Sequence, residues 1–227
     1  MRFALPGGGH ALFTTCEDGN LSTLRGATPE QGSARRDELR ARLGLRWLCA
    51  SRQVHGATVQ RVVAVDGRDG KRLALDADGH ATALRGVGAM VLVADCLPVI
   101  LLADGVVAAL HAGWRGLAAG VLEEGVGAVR ELGARGEITA LVGPGARGCC
   151  YEVGEEVHAV FGDADGRGAH RRGRNLDLAA IAGERLRAVG AARVEDVGVC
   201  TICDPRFFSH RREGLGAGRQ AGIAWLS

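Results

Sequence analysis

Lysine is almost missing from this chain of 227 residues. Its basic side chains are nearly all arginine, and the 28 Lys and Arg barely exceed the 26 Asp and Glu, for a formal charge of +2. The arginines are scattered, so no basic block forms the footprint a nucleic acid needs, and nucleic acid is excluded as an expected partner. No apolar run reaches the length of a membrane span. The opening segment, Met1 to Gly9, is too short in apolar residues for a secretory leader. No Pro-, Ser- or Gly-rich linker and no internal repeat divide the chain, which is long enough to bury one substantial core. The expectation is a single domain over residues 1–227, with no membrane partner, in the cytoplasm, as a monomer or homodimer. The seven cysteines make an odd count, unlike a disulfide framework, and reduced thiols fit a cytoplasmic chain. Cys200-Thr201-Ile202-Cys203 has C-x-x-C spacing but no second spaced pair and no thioredoxin-like context, so it is not read as a redox or zinc motif.

What the sequence does contain is a run of short apolar segments. Met90 to Ala94 and Val99 to Ala103 are continuous apolar stretches, as in strands buried on both faces. Asp95-Cys96-Leu97-Pro98 is expected to interrupt the ladder between them, because Pro98 has no amide hydrogen. Asp104-Gly105 is a turn signal, after which Val106 to His111 returns as a strand; a hairpin would carry His111 back towards Cys96. Further strands are expected at Thr58 to Val65, Ile138 to Val142, Val194 to Val199 and Ile223 to Leu226. Arg35 to Leu43 reads as an exposed helix. Leu117 to Leu132, stopped by Gly133, reads as an amphipathic helix. Val153 to Phe161 and Leu176 to Val189 also read as helices. Strands and helices alternate only in part, so the fold class is α/β or α+β with mixed sheets.

Three segments stand apart: Gln53-Val54-His55-Gly56, Ala94-Asp95-Cys96-Leu97-Pro98 and His111-Ala112-Gly113-Trp114-Arg115-Gly116. Two imidazoles and a thiol form a donor set for zinc or copper, and three protein ligands leave one position for water or substrate. The spacing matches no compact metal motif. A buried thiol and hydrogen-bonded histidines are the alternative on the residues alone.

These segments, followed by Gly143-Pro144, Cys150-Tyr151-Glu152-Val153-Gly154, Cys200-Thr201, Phe208-Ser209-His210-Arg211-Arg212 and Gly218-Arg219, occur in the order found in one family. The chain resembles the multicopper polyphenol oxidase or laccase-domain family, whose members are also described as purine nucleoside phosphorylases and peptidoglycan editing factors. The motifs cover Trp47 to the C-terminus. The resemblance implies a four-layer α-β-β-α fold with two mixed β-sheets, and catalytic metal ligands His55, Cys96 and His111 holding zinc or copper. It implies phosphorolysis of adenosine, inosine and methylthioadenosine, with adenosine deamination. Earlier in the chain Cys16 stands where the family has an Arg, and Ala34-Arg35 keeps half of an Asn-Arg pair.

Phosphorolysis needs a held phosphate, and the planar fork of arginine binds two phosphate oxygens at once. Arg115, Arg211 and Arg219 are the motif candidates for substrate binding, with Phe208 as a surface for the base. Asp95 and Glu152 are candidates for moving protons or for orienting backbone. The oxidase name fits poorly, since one His/Cys/His set lacks the His-rich sequences that several coppers require. Two other functions stay open. One is a hydrolase with Cys96 as nucleophile and His111 as base, acting in peptidoglycan precursor editing. The other is a non-catalytic module that keeps a metal for stability.

Overall fold

The structure is a computed structural model that describes residues 1–4, 8–65, 76–162 and 170–227. In chain order the strands are β1 (Arg2–Ala4), β2 (Gly9–Phe13), β3 (Trp47–Cys49), β4 (Val59–Val62), β5 (Gly79–Thr82), β6 (Val87–Val93) and β7 (Leu97–Ala103). They continue with β8 (Val106–Ala112), β9 (Thr139–Val142), β10 (Arg171–Arg172), β11 (Asn175–Leu176), β12 (Arg193–Asp196) and β13 (Gln220–Leu226). The α-helices are α1 (Gly32–Arg42), α2 (Trp114–Ala118), α3 (Val121–Glu131), α4 (Glu155–Val160), α5 (Leu178–Ala188) and α6 (His210–Glu213).

Two large mixed sheets carry the fold. The first runs β1-β2-β13-β6-β3, with β3 parallel to β6, and the second runs β12-β9-β7-β8-β5-β4, with the pairs β12–β9 and β4–β5 parallel. Alternation along each strand explains why both sheets are buried on two faces. In β7, Leu97, Val99 and Leu101 pack towards α3 and α5, whereas Ile100 and Leu102 meet Phe13, Ala89 and Val91 of the first sheet. In β6, Met90 faces the other way, against Leu39 of α1 and Ile223. The layers are therefore α1, first sheet, second sheet, α3 with α5. This is the α-β-β-α order of the expected fold.

The Asp104-Gly105 turn closes a β7–β8 hairpin, with Gly105 at φ 72°. Its register sets Leu97 opposite Ala112 and Pro98 opposite His111, which returns the histidine to the Cys96 end. Pro98 itself does not interrupt the ladder, contrary to the reading of the sequence. Its carbonyl accepts from Gly143 N while β9 pairing begins one residue later, at Val99. A residue's N–H and C=O point to the same side of a strand, so the missing donor faces the spot where β9 has already ended.

The helix expected over Leu117–Leu132 is two helices. Gly120 lies at φ 90°, a left-handed conformation that ends α2 and lets α3 start in a new direction. The break frees α3 to lay Leu122, Val126 and Val129 on the second sheet.

Candidate metal centre and active-site cavity

The connection between β3 and β4 supplies His55, the β6–β7 connection supplies Cys96, and the end of β8 supplies His111. Val107 and Ala109 of β8 face the first sheet, and His111 continues that face to the rim of the sandwich. The ligand-type atoms of His55, Cys96 and His111 all lie within 4.8 Å of one another. The two imidazole rings meet edge to face, with centroids 4.7 Å apart. His111 is buried, Cys96 half-buried and His55 exposed, so the group opens in one direction.

Asp78, one residue before β5, organises this centre. Its Oδ1 accepts from His111 Nδ1 at 2.7 Å and from His55 N at 2.9 Å, and its Oδ2 accepts from Gly56 N at 2.7 Å and Val54 N at 3.1 Å. One buried carboxylate thus fixes both the 54–56 loop and the histidine tautomer. With Nδ1–H given to Asp78, Nε2 of His111 is left to face Cys96, donating to its thiolate when protonated and free to ligate an ion when not. The sequence reading missed Asp78. No local motif marks it, because its role comes from strand pairing that brings residue 78 beside residues 55 and 111.

Two non-glycine residues among the described ones have left-handed backbone, His55 at φ 61° and Asp95 at φ 84°, and both adjoin the centre. Asp78 holds His55 in that conformation. Asp95 is held by its own bonds: Oδ1 accepts from Thr201 Oγ1 at 2.7 Å, Oδ2 from Arg211 N at 2.7 Å, and its carbonyl from Ala146 N at 2.7 Å. Both carboxylate oxygens are spent on orienting neighbours. Glu152 pairs with Arg174 at 2.6 Å.

Burial disfavours the Cys96 thiolate, but the charges and hydrogen bonds of His111 and His55 outweigh it and bring the thiol down to about 6. Burial likewise opposes the His111 imidazolium. The Cys96 thiolate and the Asp78 carboxylate overcome that and lift it to about 9. The two form a thiolate–imidazolium pair whose protons and charge belong to the pair.

The residues fit a borderline-soft metal ion. One sulfur and two imidazole nitrogens converge, and a carboxylate stands behind one imidazole in the manner of a metal-bound histidine. Gly113 keeps the space open. A Cβ there would lie 3.0 Å from Cys96 Sγ and 3.3 Å from His55 Cδ2.

The centre forms part of the wall of a cavity of about 740 Å³, which Arg25, Arg36, Arg52, Arg115, Arg211 and Arg219 also line. Among the described residues, the one acidic residue that lines it is Asp95. Arg52 is balanced by Asp76. Arg25, Arg115, Arg211 and Arg219 have no carboxylate partner among the described residues. Arg115 lies over the Trp114 ring at 4.1 Å and Arg211 over the Tyr151 ring at 4.9 Å. Arg219 donates to the carbonyls of Ala217 and Gly218. Of the residues singled out in the sequence, the three donors and three arginines share this cavity, whereas Phe208 lies outside its lining. Gly218 sits against the Phe208 ring, where a Cβ would lie only 2.7 Å from it. The aromatic wall is Trp114 and Tyr151 instead. Cys16 also lies outside the lining.

This combination of two stacked mixed sheets with a His/Cys/His centre at their rim defines a class of protein. The chain belongs to the family described as multi-copper polyphenol oxidoreductase laccase, whose profile matches residues 8–227. Its relatives include a purine nucleoside phosphorylase of Xylella fastidiosa, 40% identical over 97% of this chain and 88% of the relative. A purine nucleoside phosphorylase of Streptomyces coelicolor is 38% identical over 92% of this chain and 88% of its own length. Among solved structures, a Neisseria meningitidis protein superposes with a TM-score of 0.80 at 30% identity, covering 99% of this chain and 97% of that one. YlmD of Geobacillus stearothermophilus gives 0.81 at 27% identity, covering 98% and 94%.

Proposed function

We propose that this chain is a metal-dependent purine nucleoside phosphorylase, a pentosyltransferase that cleaves adenosine, inosine and methylthioadenosine to free base and ribose 1-phosphate or methylthioribose 1-phosphate. The observation that carries this reading is the juxtaposition of uncompensated arginines with the His55/Cys96/His111 centre in one cavity. A dianion entering that cavity meets Arg115, Arg211 and Arg219 without displacing a carboxylate. Trp114 and Tyr151 give the purine apolar surface, and their stacking on Arg115 and Arg211 keeps those guanidinium planes fixed before substrate arrives. Asp78 holds His111 in one orientation. His55, Cys96 and His111 would hold zinc, with copper as the second candidate. A bound ion supplies Lewis-acid polarisation or activates water, the second being what adenosine deamination needs. The cytoplasm is the compartment in which these thiols stay reduced and phosphate is plentiful.

The test is a panel of inosine, adenosine and methylthioadenosine, each with and without phosphate. Free base and sugar 1-phosphate are expected only when phosphate is present. Arg115→Ala should raise the KM for phosphate by about 10- to 100-fold, the worth of one charge-assisted hydrogen bond. Base release that is equally fast without phosphate, yielding free ribose, sinks the phosphorylase reading.

A second reading has its own support. The Cys96–His111 thiolate–imidazolium pair is the arrangement of a cysteine hydrolase, and peptidoglycan precursor editing would use it. A thiolate bound to metal is a poor nucleophile, so the two readings exclude each other in a given state. Activity that survives chelation but is lost on alkylation of Cys96 would favour the hydrolase.

A further inference from the structure

Away from this cavity, four more sulfurs converge. The ligand atoms of Cys149, Cys150, Cys200 and Cys203 all lie within 4.8 Å of one another. The separations are 3.9 Å for Cys149–Cys203, 3.4 Å for Cys149–Cys150 and 2.8 Å for Cys150–Cys203. Four thiolates at the corners of a zinc tetrahedron, each about 2.3 Å from the ion, stand about 3.8 Å apart. A disulfide would need one pair at about 2.0 Å and would leave the other two sulfurs without a role. We propose that these four cysteines form a second, structural metal site that takes one zinc ion per chain.

The backbone is arranged for it. Cys200 and Cys203 bracket one tight turn, the spacing of a structural zinc knuckle. That turn is closed by Asp204 N, which donates to Cys200 O at 3.0 Å. On the other side, the turn after Arg147 presents Cys149 and Cys150, closed by Cys150 N and Tyr151 N bonding to Arg147 O. Arg147 locks the two segments together before any ion binds. It donates to Val199 O at 3.1 Å, Gly143 O at 2.7 Å and Asp196 Oδ2 at 2.8 Å. The C-x-x-C motif thus has its second pair about fifty residues upstream, as an adjacent Cys149-Cys150 dipeptide that spacing rules do not detect.

Binding replaces the thiol protons, which pass to solvent, by four sulfur–zinc bonds. No oxidant is required. Its structural consequence reaches the cavity, because Tyr151 follows Cys150 directly and Thr201, next to Cys200, holds Asp95 beside Cys96. The site takes no chemical part in the reaction proposed for the cavity. Its four donors leave no open position for substrate.

The experiment uses the full chain with Cys96→Ser, which removes the thiolate of the first centre. Expected is one zinc per chain by elemental analysis, and on exchange with cobalt(II) the intense thiolate-to-metal charge-transfer bands of a sulfur-rich site. Adding Cys200→Ser and Cys203→Ser should take that ion and those bands to zero. If the triple variant does not fold, Cys149→Ser at an exposed position serves instead, with the charge-transfer intensity falling by about a quarter and zinc lost at lower chelator concentration. Absence of thiolate–cobalt bands in the Cys96→Ser protein overturns the proposal. So does a Cys150–Cys203 disulfide found by mass spectrometry in protein purified without oxidant. Loss of nucleoside cleavage alone leaves this test unaffected.

Discussion

Asp78 joins three backbone amides and one imidazole to a single carboxylate, so its replacement separates positioning from chemistry. Asp78→Asn keeps the shape but loses the charge opposite His111. Metal affinity should fall about 10- to 100-fold, the usual loss for such a partner, and activity with it. Zinc binding measured against a competing chelator, with circular dichroism to confirm folding, checks this; unchanged affinity would remove Asp78 from the centre. Gly113→Ala probes the same place from the other side. The backbone there, at φ −77°, accepts alanine, so the added methyl acts through its contacts with Cys96 and His55. Metal occupancy is expected to drop severalfold while the unfolding midpoint stays nearly unchanged. A variant that binds metal as the parent does would show that the three side chains have room to spare. Asp78 was not legible in the sequence, and Gly113 stood in a singled-out segment without a role of its own. His55, Cys96 and His111 stand in recognisable segments, but Asp78 and Gly113 acquire their roles only through the register that places them there.

Elements were legible where their burial pattern was simple. Strands β6, β7 and β8 are apolar on both faces, and the Asp104-Gly105 turn between two such runs fixed their hairpin. Helix boundaries were less so, because the apolar spacing from Leu117 to Val129 continues through Gly120, whose left-handed φ breaks the helix. A second glycine in that stretch has a different purpose. Gly125 of α3 lies against β8, where a Cβ would come within 3.2 Å of Leu110 Cγ and closer still to both its methyls. Leu110 is fully buried and has nowhere to retreat. Gly125→Ala should therefore destabilise the protein by about 1–3 kcal/mol through overpacking, although alanine gains about 1 kcal/mol in helix propensity. Urea unfolding measures the difference. A variant more stable than the parent would mean that α3 can slide on the sheet.

At the scale of the whole molecule, the contact between the two sheets is apolar except at a few points, and His80 is the most exposing of them. It belongs to β5 of the second sheet, yet its Nδ1 donates to Met90 O of the first sheet at 3.1 Å, and its Nε2 accepts from Ser51 Oγ at 2.9 Å. Both ring nitrogens are satisfied in the neutral form, because a carbonyl can only accept. Burial pushes His80 down to about 4, against the opposing pull of the Met90 carbonyl and the Asp78 charge. The unfolded chain takes up this proton near pH 6.5, the folded one not until about pH 4. The stability that the neutral imidazole contributes is thus complete above pH 6.5 and is lost as pH falls towards 4. About 2 kcal/mol should disappear between pH 7 and pH 5, and about 3 kcal/mol by pH 4. His111 has the opposite sign, and Cys96 and Asp78, both held below their ordinary values, lose stability on acidification as His80 does, so the share of His80 is read by comparison with a variant that lacks it. The measurement is the unfolding free energy of the parent and of His80→Gln from pH 7 to pH 4.5. Their difference should shrink steadily as the pH falls, since glutamine cannot take up a proton. Parallel curves would mean that His80 accepts its charge in place, and that the contact between the sheets is wetter than its burial implies.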